Sequence, residues 1–450
     1  MDFFDGCGGE DWADFSQFDT AIWVDLTLSV KEVWTRDGPT VLSGVWREIM
    51  DLANVENVVG TVAADHFAGN AQNNTFVYVA GAVAPSRVDI INGRGGTDTA
   101  DFSRFDEAIW VDMAFSGSAV WTRDGGDVLS GAWRALASLQ EVENVIGTRG
   151  IDQFYGNELD NSFSYVSDLT PMPAQTPLEI MDGRGGTDTA DFSLFGAAIW
   201  VSFELTDAEV WTRLGPTLGS GTWADIVNLV SIETVVGTNF DDHFIGNGAD
   251  NTFFGGQGND ILRGNGGRDS LFGGAGDDRL IGDGDLDLLS GGAGSDTVDY
   301  SGFGAAVWVD LSGTGFEVWT RDGGDVTSGI WRAIADVEQV ENLLGTMFSD
   351  RLKGDGAGNT LAGGAGDDLL IGGLGADTFV FLPGGGADVI ADFHSGVDTV
   401  LLAQTGLEWG DLGMVQNGSD AVITYGAPGD QITLSGVQLM DLTEADFVFL

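Results

Sequence analysis

The stretch "GGQGNDILRGNGGRDSLFGGAGDDRLIG", Gly255–Gly282, places glycine at nearly every second position and an acid at every ninth: Asp260, Asp269, Asp278. Each nonapeptide opens with a glycine-rich hexapeptide suited to a tight turn with positive φ. It closes on a three-residue strand with one apolar side chain facing inward, such as Leu280 in "GGAGDDRLI" from Gly273. One such unit has too little core to stand alone. Two units make a flattened turn of 18 residues with a strand on each face, and successive turns stack as parallel strands about 4.8 Å apart.

Residues one turn apart then form columns. Asp242, Asp260, Asp278 and Asp296 lie along one edge, and Asn251, Asp269 and Asp287 along the other. The inward columns read Leu262, Leu280, Val298 and Phe253, Leu271, Leu289, all apolar. The acid columns oppose folding, since like charges on neighbouring strands repel, at about 3 kcal/mol per pair for roughly 5 Å and an effective dielectric near 20. A divalent ion between consecutive turns reverses that sign. Carboxylates with the accessible carbonyls of glycine turns are hard oxygen donors and suit Ca²⁺. Zinc would call for His or Cys, and the chain has three histidines and one cysteine.

The repeat runs unbroken from Gly237 through Asp299 and again from Gly345 to Val380, with Asp350, Asn359, Asp368 and Asp377 at the sixth place. Degenerate pairs occur at Asp65 and Asn74 and at Asp152 and Asn161. A larger repeat has four copies, each opened by one nonapeptide carrying Asp11, Asp98, Asp188 or Asp296. The first copy reads "ADFSQFDTAIWVDL" from Ala13, a "VWTR" block at Val33, a tryptophan segment at Trp46, and "VENVVGT". Trp34, Trp121, Trp211 and Trp319 are separated by 87, 90 and 108 residues. The last step exceeds the one before by two nonapeptides, which reads as one whole added turn of a solenoid.

The nonapeptides resemble the parallel β-roll of RTX (hemolysin-type) calcium-binding proteins. That resemblance implies an ion held by the aspartate of one turn with the carbonyls two and four residues before it, and by the next turn's aspartate with those three and five before it. One ion would then use Gly256, Gly258, Asp260, Gly273, Ala275 and Asp278; the next on that edge would use Gly274, Gly276, Asp278, Gly291, Ala293 and Asp296. The opposite edge would use Asn265, Gly267, Asp269, Gly282, Gly284 and Asp287. Further ligands implied in the same way are Asp98, Asp188, Asp242, Asp350, Gly363, Ala365, Asp368, Gly372, Leu374, Asp377 and Asp388. Asn251 and Asn359 depart from the pattern, so sites using them should be weak or empty.

The expected architecture is an all-β, elongated parallel β-roll or β-helix solenoid with four tryptophan-rich modules and a C-terminal β cap. Its parts are modules at 1–90, 91–180 and 181–236, a calcium roll at 237–299, a fourth module at 300–344, a second roll at 345–383, and a cap and secretion region at 384–450. Within the cap, "AVITY" and "QITLSGV" read as antiparallel strands. "ADVIADF", "GDQITLSGV" and the terminal "DFVFL" resemble the C-terminal region of serralysin-like proteins exported by type I secretion. That likeness implies type I machinery as a partner and an extracellular or cell-surface location.

Composition agrees. The formal net charge is −52 over 450 residues, yet 43% of residues are hydrophobic and 14 are tryptophans, which argues against disorder and for bound cations. Eighteen basic residues spread thinly make nucleic acid an unsuitable partner. The start, "MDFFDGCGGEDWADF", has no Sec-type signal pattern, and no apolar run is long enough to span a membrane.

In the modules, Trp23 and Asp25 share one strand face and Ile22, Val24 and Leu26 the other. Three readings of the tryptophan face stand: the "VWREI" segment folds over it and Arg stacks on Trp, it stays open as a platform for polysaccharide or another surface, or it is a protein–protein assembly surface. No HExxH or GxSxG occurs and the histidines are only His66, His243 and His394, so no catalytic function is expected. The functional expectation is a secreted, calcium-folded protein with a structural or adhesive role. The alternative is the secretion and folding portion of an effector whose active segment lies elsewhere or is lost, since the chain opens inside a module.

Overall fold

A computed structural model describes all residues except 1, 29–31, 37–43, 81–87, 118, 124–130, 167–177, 206–209, 214–222, 314, 322–328 and 427. Among the described residues there are β-strands and three short 3-10 turns but no α-helix. The chain divides into two units, Met1–Trp200 with Leu205–Asn239, and Val201–Glu204 with Phe240–Leu450.

In the first unit one sheet is parallel throughout. Trp12–Asp14, Asn57–Val59, Thr75–Val77, Thr99–Asp101, Asn144–Ile146, Ser162–Ser164, Thr189–Asp191 and Thr234–Val236 pair in that order. The other sheet alternates single strands with the modules. Each three-residue strand turns its middle side chain inward, and the two sheets meet through rings such as Phe67 on Phe76 and Phe154 on Phe163, 5.4 and 5.3 Å apart. All four rings are fully buried.

The second unit carries the quoted stretch. Strand His243–Ile245 pairs in parallel with Ile261–Arg263, then Arg279–Ile281, then Thr297–Asp299. Thr252–Gln257, Ser270–Ala275 and Asp287–Ala293 form the partner ladder. Leu262 faces Leu280, which faces Val298; Phe253 faces Leu271, which faces Leu289. All six are at most 1% exposed, as the column reading requires. In the cap, Asp420–Thr424 pairs antiparallel with both Gly413–Asn417 and Gln431–Leu434. Gln431–Leu434 joins the roll beside Ala387–Ile390, and the terminal Phe447–Phe449 beside Thr399–Leu402.

Each module is a three-stranded meander set where the roll elsewhere has one strand. In the second, Trp110–Asp112 pairs antiparallel with Val120–Arg123, which pairs antiparallel with Trp133–Gln140. Its outer members rejoin the parallel ladder beside Gln153–Tyr155 and Asp89–Asn92. The register shifts at the same Val–Trp step in every copy, before Trp34, Trp121, Trp211 and Trp319, a bulge that raises local twist. The reading of one added turn before the fourth module is corrected by strand order. Among the described residues, five single strands separate the meanders at Ala53 and Trp110 and at Gln140 and Ile199, whereas eight separate Val230 from Val307. Three half-turns were therefore added. Long connections after Val77 and Ser164 lengthen the earlier steps and hide the difference in residue count.

The third tryptophan strand lies alongside the first two in the same sheet and does not fold over them, which corrects that part of the covered-face reading. Trp23 packs on Trp34 and Trp46 with centroids 5.4 and 5.3 Å apart and on His66 at 5.4 Å. The expected Arg–Trp stacking occurs in all four modules: Arg36, Arg123, Arg213 and Arg321 lie 4.1, 4.1, 4.4 and 4.2 Å over Trp46, Trp133, Trp223 and Trp331. Trp133 and Trp223 keep 43% and 36% of their surface in solvent, so this face is only partly covered.

Candidate metal centre

The backbone of the second residue in each nonapeptide sorts the acids into two kinds. Gly256, Asn265, Gly274, Gly292, Gly364 and Gly373 have φ between 63° and 112°. In these turns the carboxylate Oδ1 accepts a backbone N–H from the previous turn: Asp242 to Asp260, Asn251 to Asp269, Asp260 to Asp278, Asp278 to Asp296, at 2.7 to 2.8 Å. Oδ2 of Asp260, Asp269, Asp278 and Asp296 is buried without a hydrogen-bond partner. Buried, unmatched carboxylate oxygens repeated along a column are a donor set that a divalent cation would satisfy. Burial, added to by neighbouring carboxylates, raises Asp260 to about 9, Asp269 to about 7, Asp278 to about 6 and Asp368 to about 8.

The other kind is closed by protein atoms. Where the second residue is Thr, its N–H and hydroxyl hold both carboxylate oxygens. Thr61 does so for Asp65, Thr148 for Asp152 and Thr346 for Asp350. Each of these acids also accepts the N–H of a module's first strand, from Ile22, Ile109 and Val307. Asp350, expected as a ligand, is therefore a hydrogen-bonded latch between module and roll. Asn rungs are closed too. Asn74, Asn161, Asn251 and Asn359 each accept the N–H of their own second residue, and Nδ2 of Asn74, Asn161 and Asn359 donates to the preceding turn's carbonyl. In these rungs the amide N–H groups already serve neighbouring carbonyls.

The remaining expected residues fall as follows. Asp368 and Asp377 accept the N–H of Asp350 and Asn359, and Asp388 extends the column by accepting that of Asp368 at 2.9 Å. Gly258, Gly267 and Gly276 are left-handed at the fourth place and Gly284 at the third. The first-place glycines Gly273, Gly291, Gly363 and Gly372 sit where a Cβ would strike their own rung's aspartate Oδ2. Ala275 and Ala293 carbonyls already accept one N–H each, from Gly258 and Gly276, and keep a second lone pair. Ala365 N–H donates to the Thr346 carbonyl, and Leu374, 75% exposed, donates its N–H to Asp355. Asp98 and Asp188 are fully buried with Oδ2 unpartnered.

The Gly284 carbonyl accepts from the Arg332 guanidinium at 2.7 Å, which places a positive charge beside that oxygen. A Cβ on Gly282 would strike the Tyr300 ring. The second residue of that unit, Asp283, brings a further carboxylate: Asp269, Asp283 and Asp287 offer oxygens within 4.8 Å of one another. Asp283 Oδ1 is buried and unpartnered, and burial with Asp287 and Asp285 nearby raises its carboxyl to about 7. The consensus has glycine at that position, which is why sequence counting passed over Asp283. Asp89 was missed because residues 81–87 break the nine-residue count; it accepts the Asp65 N–H at 3.0 Å and is 2% exposed.

Open rungs, left-handed turns and unmatched carboxylates define a parallel β-roll whose edges offer hard oxygen donors suited to a divalent cation. Residues 231–262, 263–298 and 344–379 match the family model described as RTX calcium-binding nonapeptide repeat. A comparison with curated proteins found no match. Among solved structures, an extracellular lipase, LipA from Serratia marcescens, aligns at 20% identity and a TM-score of 0.20. The alignment covers 50% of this chain and 44% of that one, so the chain spans less than half of the lipase, and a likeness of this degree carries no argument about activity.

Proposed function

We propose that this chain is a secreted protein that folds on extracellular calcium and acts as a structural or adhesive element, without catalysis of its own. The observation that carries the reading is the series of buried, unpartnered Oδ2 atoms at Asp260, Asp269, Asp278 and Asp296. Such a column stays unfolded where free calcium is scarce and closes where it is millimolar, which suits export of an unfolded chain. The C-terminal strands, with "GDQITLSGV" and "DFVFL", would serve type I export as well as closing the roll. The half-exposed Trp–Arg ladders support adhesion to polysaccharide, and four copies favour avidity.

The test is a calcium titration of the chain followed by circular dichroism, with magnesium as control. A coil-to-β transition at sub-millimolar to millimolar calcium, absent with magnesium, is expected. A chain fully β and unresponsive to calcium would overturn the reading. Adhesion is tested separately on a glycan array, where replacing Trp23, Trp110, Trp200 and Trp308 should abolish any signal.

A further inference from the structure

Every module closes on a short motif with a central glutamate outside the nonapeptide consensus, V-E-N at Glu56, Glu143 and Glu341 and I-E-T at Glu233. In the structure this glutamate takes the place of the next turn's aspartate. The N–H of Asp98 donates to Glu143 Oε2 at 2.9 Å, that of Asp188 to Glu233 at 3.0 Å, and that of Asp296 to Glu341 at 2.9 Å. This repeats the bond that Asp242 makes to Asp260 in the roll. The residue two before each glutamate, Glu141, Ser231 or Gln339, is left-handed with φ 49° to 53°. That conformation aims its carbonyl at the first glycine of the opening unit. A Cβ placed on Gly93, Gly183 or Gly291 would strike both this carbonyl oxygen and Oδ2 of Asp98, Asp188 or Asp296. The two oxygens thus converge on one point. The aspartates are 0% exposed, and their Oδ2 atoms have no partner. Arg94 and Arg184, the second residues of two of these units, are left-handed at φ 70° and 68°, as in the open rungs. Their side chains point away, onto Asp25 and Asp112 at 3.0 and 2.8 Å.

We propose that each of these three module throats holds a divalent cation, calcium, between the opening aspartate and the glutamate of the closing motif. The ligands are Asp98, Glu143 and the Glu141 carbonyl; Asp188, Glu233 and the Ser231 carbonyl; and Asp296, Glu341 and the Gln339 carbonyl. One shortened turn replaces the second nonapeptide, and the longer glutamate side chain spans the gap that it leaves. The ion ties the start of a module to its end, 45 residues later. This rests on the calcium reading of the roll but concerns residues that no nonapeptide supplies.

The test is calcium stoichiometry of the full chain by equilibrium dialysis at pH 7.5, with circular dichroism as the check on folding. The variant Glu143→Gln/Glu233→Gln/Glu341→Gln keeps an acceptor for each aspartate N–H and should bind three fewer ions per chain while remaining β in saturating calcium. Glu143→Gln alone should lose one ion, which covers an unfolded triple variant. An unchanged count in either folded variant overturns the proposal. Asp260→Asn/Asp278→Asn separates the two ideas: it should lose roll ions and keep the throat ions. A full count in this variant, with loss only in the glutamate variants, would sink the roll reading and leave the throat sites standing. No bound calcium in the unaltered chain would sink both.

Discussion

At the scale of single residues, a left-handed second residue sets the rungs of Asp260, Asp278 and Asp296, with their unmatched Oδ2, apart from those that Thr or Asn closes. Gly274 is left-handed at 112°, and a Cβ there would collide with the Gly256 carbonyl. Gly274→Ala should therefore cost about 1–3 kcal/mol through backbone strain and move the calcium midpoint of folding upward, read by circular dichroism. Thr346 behaves differently, because it closes a rung with its own hydroxyl. Thr346→Val removes the O–H donor to Asp350 Oδ1 and should cost on the order of 1 kcal/mol in thermal unfolding, with the number of bound ions unchanged. The nonapeptide formula made the aspartates legible from sequence. It could not distinguish Asp260 from Asp350, because both occupy the sixth place, and the difference lies in where a peptide N–H points.

At the scale of elements, each strand contributes one inward side chain, so each is weakly held and depends on its neighbours above and below. Leu280 sits between Leu262 and Val298 with no exposed surface; Leu280→Ala should lose about 2–5 kcal/mol in denaturant unfolding with calcium present. The modules add a second device. Trp308 contacts Trp319 and Trp331, 5.3 and 5.2 Å away, and Arg351 lies 5.2 Å over its ring. Trp308→Ala should lower the melting temperature by several degrees, read by circular dichroism with calcium present. The alternation in "AIWVDL" was enough to assign faces. That the third tryptophan strand lies alongside and not over the others was not legible, since a sheet edge and a sheet face offer the same apolar pattern to a strand.

At the scale of the whole molecule, a charge of −52 must be neutralised by ions or by protons. The carboxyls of Asp260, Asp269, Asp278 and Asp368 are raised to between about 6 and about 9 in the folded chain, from 3.8. The folded state without calcium then binds more protons than the unfolded state. Its stability is fullest below about pH 4 and is lost as pH rises through 6 to 9. Calcium-free protein should accordingly show more β signal at pH 5 than at pH 8.5. Calcium affinity should run the opposite way and weaken as pH falls, because protons compete for the same oxygens. A calcium-free β signal that grows with pH would contradict the cation-column account.

The period of nine, the apolar eighth place and the acidic sixth place determined from sequence alone that the chain forms parallel stacked turns with carboxylate edges. Those features are local or separated by one fixed turn, so a periodic pattern carries them. The tertiary structure alone decided which edges are open. Asp98 and Glu143 meet across 45 residues, Gly284 gives its carbonyl to Arg332, and the fourth module follows eight strands, not five. Each depends on contacts through an aperiodic insertion, where residue count no longer measures height along the stack.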